Sequence, residues 1–375
     1  MDQETAQALF NKGAFLLFLN APEGLEFGID YNSWQTGPRF KGVKLIPPGL
    51  HFVYYSTSDK SGTSGLRSGF FKFYESKEVV IKYWDPQIED VKKDDETDSE
   101  QIEHLKLDMR EFDPFLGTYP LTPSTDWKKW VNLTNYITYP LISRILPNEG
   151  KMNNVSSSTV DEDELLNIKG SSKFQEDIIL FTKFDLKKSW RTGAVGEEIT
   201  KYSQDKSWLL CELLTSIYKN GKFYVCQAIL GELQLSFVCL LIGQNFAGFT
   251  QWKNLVQLVC LCKESINTYS TTLFSEFLDV LNLQLEECPP DFFRDVISED
   301  NFLSHVLKIL GKTISDLPTQ SSSTELKLLR RRFNKFRGFL GQQFRLELSI
   351  DDDEEEGEYA PVVVELPDDN IISNQ

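Results

Sequence analysis

Residues 70–84, FFKFYESKEVVIKYW, decide how the first half of the chain folds. Two runs rich in aromatic and β-branched residues, 70–74 and 79–84, flank a short polar sequence, a pattern typical of a β-hairpin. Runs of the same kind at 14–19 and 50–55 lie beside turns that contain Gly or Pro. Short strands separated by such turns predict a sandwich-like or barrel-like sheet.

The pattern becomes helical after this β-rich stretch. Apolar residues that include Trp127 and Trp130 recur at near-helical spacing as far as Pro147, which predicts a closing helix. We therefore expect a β-rich, sandwich-like N-terminal domain over residues 1–147, with an acidic loop at about 85–113.

The second half of the sequence has helical periodicity. Ser, Asn, Asp and Glu dominate residues 148–172, which we interpret as a linker. An all-α domain of about six helices is predicted over 173–350. Its helices are expected at 207–218, 223–242, 249–262, 270–285, 300–310 and 323–348. Residues 351–375 are predicted to form an acidic flexible tail with a short strand, and the fold class is α+β.

The negative charge is concentrated in two segments. The formal net charge is −17. Residues 85–113 contain 12 acidic and 4 basic residues, and residues 351–375 contain 10 acidic residues and no basic ones. Removing their net charges of −8 and −10 leaves +1 for the rest of the chain, so the folded body is nearly neutral. Neither acidic segment suits phosphate binding, which needs Lys and Arg.

The cysteines and the hydropathy of the sequence bear on the cellular compartment in which the protein acts. Most of the 6 cysteines lie in apolar, helix-like stretches without a repeated spacing, as is typical of reduced, buried thiols. The N-terminal sequence lacks the pattern of a signal peptide. The longest apolar run, 225–242, is interrupted by polar residues that include Glu232. We expect a protein of the cytoplasm and nucleus that does not enter a membrane.

The sequence contains none of the common catalytic or phosphate-binding motifs. The 3 histidines, at 51, 104 and 305, are far apart in the sequence. Cys260 and Cys262 are the nearest pair of cysteines, and on a helix they point to different faces. We therefore expect no enzyme activity, no cofactor and no metal site.

The predicted helix 323–348 has an apolar stripe and a basic remainder. The stripe contains Leu329, Phe333, Phe336, Leu340 and Phe344, and most of the basic side chains lie off it. This pattern favours a helix packed on the bundle with a solvated basic face. A nucleic-acid patch is the alternative, and the acidic tail, which begins six residues after Arg345, is placed to screen that face.

The tail has an apolar end that needs a partner to become ordered. Ordering six residues costs about 6–12 kcal/mol of backbone entropy, whereas each paired backbone hydrogen bond returns about 0.5–1.5 kcal/mol. Burial of valines, at about 1.5–3 kcal/mol each, is needed to close the gap. We expect strand addition to a partner's sheet, with a disordered tail or pairing with the chain's own sheet as alternatives. The contact candidates are Tyr359, Val362, Val363, Val364 and Leu366.

One long segment resembles a known family. Residues 27–52, FGIDYNSWQTGPRFKGVKLIPPGLHF, resemble the signature of the Aar-two (AAR2) splicing-factor family. The FTKF sequence at 181–184 and the tail sequence GEYAPVVVE at 357–365 are similar to that family too. The resemblance covers nearly the whole chain, in the order β-rich half, helical half and tail.

The resemblance implies a non-enzymatic assembly factor of the U5 small nuclear ribonucleoprotein. Such factors bind the RNase H-like domain of pre-mRNA-processing-splicing factor 8, and the tail bridges to its Jab1/MPN-like domain. They hold the immature particle until a helicase replaces them. The family's helical half is described as VHS-like, and no direct contact with nucleic acid is expected. The alternative is a spliceosomal protein that binds RNA through the basic helix 323–348.

The signature residues are interpreted mainly as structural. The glycines are expected to supply open backbone angles, and Trp34 and Phe40 are expected to supply packing. The residues concerned are Gly28, Asp30, Trp34, Gly37, Phe40, Gly42, Pro47, Pro48 and Gly49.

The predicted linker contains candidate phosphorylation sites. Release of these factors is linked to phosphorylation in some family members. Ser156, Ser157, Ser158 and Thr159 precede the acidic sequence 160–163, a context that suits a serine kinase. A phosphate there adds about −1.5 to −2 charge and is expected to repel an acidic partner or to shift the angle between the domains.

Overall fold

The computed structural model describes residues 12–58, 64–92, 109–121, 124–157, 178–217, 222–288, 302–317, 324–346 and 348. The strands are β1 (Ala14–Leu19), β2 (Glu26–Ile29), β3 (Asn32–Gln35), β4 (Gly42–Ile46), β5 (Gly49–Ser58), β6 (Ser64–Tyr74), β7 (Val79–Asp85), β8 (Asp90–Val91), β9 (Leu116–Thr118) and β10 (Lys151–Asn153). The helices are α1 (Met109–Phe112), α2 (Ser124–Thr134), α3 (Tyr139–Ile145), α4 (Glu197–Gln204), α5 (Ser207–Ile217), α6 (Lys222–Leu241), α7 (Phe246–Cys260), α8 (Ile266–Tyr269), α9 (Ser275–Glu286), α10 (Phe302–Asp316) and α11 (Thr324–Phe344).

The N-terminal half is a sandwich of two five-stranded sheets. The strand orders are β8-β7-β1-β4-β9 and β10-β6-β5-β2-β3. Aromatic side chains from the facing sheets fill the space between them, and Phe18 of β1 packs on Phe27 of β2 with ring centroids 5.1 Å apart. Alternate residues of each strand point into this layer. The central strands β1 and β5 are buried on their other face as well, so their sequences are continuously apolar or aromatic for most of their length. The predicted sandwich-like fold is confirmed.

The hairpin predicted at 70–84 is wrong. β6 pairs with β5 and β10, whereas β7 lies in the other sheet, parallel to β1. The reason is that β7 is apolar on both faces: Trp84 packs in the core between the sheets, and Ile81 packs with Leu17 on the outer face. Such a strand is stabilised in the interior of a sheet, and β7 lies between β8 and β1.

The predicted closing helix is two helices, α2 and α3. Thr138, between them, is extended, and Pro140 lies in the first turn of α3. Proline has no N–H to donate and clashes with the carbonyl four residues earlier, so one continuous helix cannot form. Both helices pack on the outer face of the second sheet, where Trp130 donates its indole N–H to the carbonyl of Leu50 (2.6 Å).

The C-terminal half is helical, as predicted, with α5, α6, α7, α9, α10 and α11 close to the expected positions. α4 was not predicted, and a π turn at Ser270–Phe274 joins α8 to α9. α7 begins three residues before the predicted start at 249, so Gly248 lies inside it. A Cβ there would come within 2.7 Å of the Ser236 carbonyl oxygen, so glycine allows α7 to approach α6 closely.

The two halves share a hydrophobic core. Leu235, Val238 and Cys239 of α6 pack with Phe52 and Phe71 of the second sheet and with side chains of α2 and α3. β10, in the segment interpreted as a linker, pairs with β6 and so belongs to the sheet. The tail and the acidic loop between 93 and 108 lie outside the described residues. In the described ranges, no helix is long and apolar enough to cross a bilayer.

Candidate protein-binding surfaces and the networks beneath them

The signature segment is organised around the carboxylate of Asp30, in the turn between β2 and β3. Its Oδ1 accepts a hydrogen bond from the backbone N–H of Phe52 (2.9 Å). Its Oδ2 accepts from the Tyr119 hydroxyl (2.6 Å) and lies 2.6 Å from His51 Nδ1. Burial and the neighbouring carboxylate raise the pKa of Tyr119 well above its usual range, which keeps this hydroxyl a donor. The network joins β2, β5 and the residue that follows β9.

His51 is fully buried and has acceptors at both ring nitrogens. Nδ1 faces Asp30, and Nε2 lies 2.7 Å from the carbonyl oxygen of Pro47. Each ring nitrogen therefore has a fixed, buried partner. The indole of Trp127 stacks on the ring, with 5.8 Å between the centroids. A general base needs an available nitrogen lone pair, so this geometry assigns His51 a structural role.

The four signature glycines differ in their reasons for being glycine. Gly42 and Gly49 have φ of 138° and 135°, as expected of open backbone angles. Gly28 does not: it is required because a Cβ would lie 2.1 Å from the ring of Tyr54. Gly37 has neither a positive φ nor a neighbour within 4 Å of a Cβ, so the expected backbone role is wrong for Gly28 and Gly37.

The other signature residues pack or turn the chain. Trp34 and Phe40 contact Phe27, with ring centroids 5.5 Å and 5.0 Å away. Pro47 and Pro48 connect β4 to β5. These contacts agree with the interpretation that the segment 27–52 mainly builds the fold.

A second buried carboxylate connects the two halves of the chain. Glu232, in the middle of α6, is 2% exposed. Its Oε1 accepts from the Thr182 N–H (2.7 Å) and the Gln251 amide (2.9 Å). Its Oε2 accepts from the Arg144 guanidinium and the Thr182 hydroxyl, both at 2.7 Å. Glu232 therefore ties α3, α7 and the FTKF segment to α6.

In the sequence, Glu232 stands out only as a residue that interrupts an apolar run. That interruption also predicts a buried polar network. A carboxylate surrounded by apolar residues on a helix needs buried partners, because burying an unpaired charge is very unfavourable. Nothing in the local sequence identifies Arg144, which lies 88 residues away.

Further polar contacts connect the β-sandwich to the helical bundle at the boundary between them, which we call the junction. The Gln234 side chain accepts from the Tyr136 N–H (2.8 Å) and donates to the carbonyl of Asn132 (3.0 Å). Arg67 of β6 donates to the carbonyl of Ile242, after α6 (3.1 Å). These bonds, with the shared core, make the sandwich and the bundle one packed unit.

The junction also carries an exposed apolar surface, which we call the turn patch. Asn245 donates from its side-chain amide to the carbonyls of Asn153 and Ser156, each at 2.9 Å. The N–H of Ile179 donates to the carbonyl of Ser157 (3.3 Å). Three elements therefore meet at the turn after β10. Their outward side chains are apolar and exposed: Val155, Ile178, Leu180 and Phe246, the last at 71%.

Two of the phosphorylation candidates lie in this turn. The Ser156 hydroxyl is buried, donates to Asn153 Oδ1 (3.0 Å) and accepts from the Asn153 N–H (2.9 Å). Ser157 is half-buried at the edge of the turn patch. Ser158 and Thr159 lie outside the described residues, and all four remain predictions.

The basic helix is α11, and its predicted apolar stripe is confirmed by the burial of Leu329, Phe333, Phe336 and Leu340. Arg330 donates to the carbonyls of Ile314 and Leu317 at the end of α10. Arg332 pairs with Asp279 of α9 (2.6 Å). These two arginines therefore stabilise the bundle, which weakens the RNA-binding alternative. Lys327, Arg331 and Lys335 are exposed.

The tail candidates Tyr359, Val362, Val363, Val364 and Leu366 lie outside the described residues. Within the described ranges, no group of three or more His, Cys, Asp or Glu is arranged to hold a metal ion. Burial raises the pKa of Cys260 and Cys262, and that of Cys288 to about 12, so these thiols stay protonated at neutral pH.

These features define an α+β protein in which a β-sandwich and a helical bundle form one body through a common core. The AAR2 N-terminal domain matches residues 12–147, and the AAR2 C-terminal repeat region matches residues 181–349. The chain belongs to the AAR2 family, as the signature segment indicated.

Relatives match over almost their full length. The chain is 33% identical to the human Protein AAR2 homolog, over 98% of this chain and 97% of the relative. It is 32% identical to the Caenorhabditis elegans Protein AAR2 homolog, over 93% and 98%. It is 25% identical to the A1 cistron-splicing factor AAR2 of Saccharomyces cerevisiae, over 92% and 96%.

Proposed function

We propose that this protein is a non-enzymatic pre-mRNA splicing factor that acts as an assembly chaperone of the U5 small nuclear ribonucleoprotein. The observation that carries the proposal is family membership along the whole chain, which includes a yeast relative named as a splicing factor. The structural roles of His51 and the protonated state of the buried cysteines support action by binding.

The proposed partner is pre-mRNA-processing-splicing factor 8. The folded body binds its RNase H-like domain, and the tail adds a strand to its Jab1/MPN-like domain, until a helicase replaces the factor. The tight junction between the halves supports this role, because a preorganised body loses little conformational entropy on binding. The proposed location is the cytoplasm and nucleus, which the free cysteines of the described ranges support.

Deleting residues 359–366 from the full chain is expected to weaken binding to a fragment containing both partner domains by about tenfold or more. The physical reason is that the deletion removes the burial of three valines. A net loss of about 1.4 kcal/mol in binding free energy already raises the Kd about tenfold. Calorimetric titration measures the Kd. The melting temperature should not change, because the core clusters of the described residues end at Leu348.

Two variants control this experiment. Deleting residues 367–375 removes a similar length of chain and is expected to leave the Kd unchanged. Changing Val362, Val363 and Val364 to Asn keeps the length and should reproduce the loss. Equal affinity of the intact and the 359–366-deleted chains would show that the tail strand does not contribute.

We propose that the turn patch is one contact of the folded body with its partner. We also propose that phosphorylation in the turn regulates this contact. Ser157→Glu is expected to lower affinity for the RNase H-like domain by about tenfold, because a charge at an apolar contact must be desolvated. Ser76→Glu, on an exposed turn of the sandwich, is the matched control and should bind as the parent does. Identical titration curves for all three proteins would show that the turn patch is not a contact and that a negative charge at Ser157 does not regulate binding.

A further inference from the structure

The chain reverses direction when it leaves α11. Arg345 adopts a left-handed conformation with φ of 56°. The N–H of Leu346 donates to the carbonyl of Leu340, in the last turns of the helix (3.3 Å). A Cβ at Gly341 would lie 4.0 Å from the Leu346 carbonyl oxygen. Leu348 is buried in the helical core, so the chain is anchored as it runs back beside α11.

An exposed face of α11 continues from that point. Gly341, Gly338, Arg331 and Lys327 are spaced three, seven and four residues apart, so they lie along one side of the helix. All four are exposed, and a Cβ at Gly338 would meet nothing within 4 Å. The face therefore begins with two glycines, which leave room for another chain, and leads towards basic side chains.

We call three exposed basic side chains of α11 the basic stripe: Lys327, Arg331 and Lys335, which follow one another at intervals of four residues. Arg330 and Arg332 do not belong to it, because they bond to α10 and α9. Burial raises the pKa of Asp279, and Arg332 and Lys335 lie close enough to that carboxyl to oppose the shift.

The acidic tail follows at a matching distance. Arg331 and Lys327 lie about 15 Å and 21 Å along the helix axis from Gly341, at 1.5 Å per residue. Asp351 is five residues beyond Leu346, which spans at most about 17 Å when extended. The chain is therefore long enough for the six consecutive carboxylates that start at Asp351 to reach the stripe. No basic residue follows them as far as residue 375.

We propose that residues 351–356 dock on the basic stripe of their own chain. The reversed exit of the chain, the open glycine face and the opposite charges all favour this occupant over a separate molecule, because the tether keeps the tail at high local concentration. Docking covers the stripe against RNA and other polyanions. It also holds the strand-forming residues 359–366 close to the body until a partner takes them, a consequence that rests on the proposed function.

Zero-length carbodiimide crosslinking of the dilute full-length protein tests the contact, because it joins only carboxylates and amines that touch. Most intramolecular crosslinks from residues 351–358 are expected to end at Lys327 or Lys335, and to decrease several-fold at high salt. Exposed Lys183, Lys187 and Lys188 are the internal comparison. Crosslinks distributed over all exposed lysines, or found only in dimers, would overturn the proposal.

Binding of a labelled uridine oligonucleotide tests the consequence. Changing the six carboxylates at 351–356 to amides in the full chain is expected to tighten this binding about fivefold, and Lys327→Glu with Arg331→Glu should abolish the gain. The matched control neutralises six carboxylates of the other acidic segment, at 94, 95, 96, 98, 100 and 103. An equal gain in that control, or strong binding by the unmodified chain, would contradict tail docking without affecting the partner measurements.

Discussion

Replacing Glu232 with alanine is expected to lower the free energy of unfolding by about 3–5 kcal/mol. The substitution removes four hydrogen bonds at once and leaves the Thr182 N–H and the Gln251 amide without their buried acceptor. Glu232→Gln should cost less, because it retains one acceptor oxygen. Urea unfolding followed by circular dichroism measures both changes.

The control for this prediction is Glu212→Ala. Glu212 is exposed on α5, and surface substitutions of this kind usually change stability by less than about 0.5 kcal/mol. If the Glu232→Ala and Glu212→Ala proteins unfold at the same urea concentration, the junction does not depend on the Glu232 network.

Asp30→Ala is expected to be similarly destabilising, by about 3–5 kcal/mol. It leaves three buried donors without an acceptor, on His51, Phe52 and Tyr119. Alanine must also adopt the φ of 54° at this position, a conformation that L-residues other than Asn and Asp rarely take. Thermal unfolding by circular dichroism provides the measurement.

Asp30→Asn separates the two causes. Asparagine tolerates the left-handed backbone, and its amide can donate to a neutral His51, so we expect a loss of about 1–2 kcal/mol. Glu23→Gln, on the exposed turn before β2, is the matched control. An Asp30→Ala protein as stable as this control would refute the assignment of the signature segment to the fold.

The sequence predicted the elements better than their connections. Apolar runs bounded by turns located four of the ten described strands, β1, β5, β6 and β7, and helical spacing located most of the described helices, because such local patterns reflect burial. The 70–84 hairpin failed because a short connection is equally compatible with a strand that crosses to the opposite sheet. The apolar character of both faces of β7 favours a position inside the first sheet over a hairpin with β6. This argument can be used only when the neighbouring strands of β7 are known.

The candidate sites divide in the same way. The structural role of the signature segment followed from its glycines and aromatics, although Gly28 serves close packing rather than a special φ. The Glu232 network was missed because its partners come from three distant parts of the sequence. The turn patch was missed for the same reason: Val155, Leu180 and Phe246 become neighbours only through the bonds of Asn245 and Ile179.

The junction links these findings to the proposed role. A factor that holds a large partner through its body and its tail needs a body that keeps its shape, and the shared core with the buried carboxylates provides that rigidity. The proposed docking of residues 351–356 adds a way to keep the tail close until the partner arrives.

The proposed interaction is tested by calorimetric titration of the purified full-length protein with the RNase H-like domain of pre-mRNA-processing-splicing factor 8. We expect a saturable one-to-one complex that forms without RNA and persists at moderate salt, because the proposed contact includes apolar surface. Absence of binding, or binding that requires RNA, would contradict it.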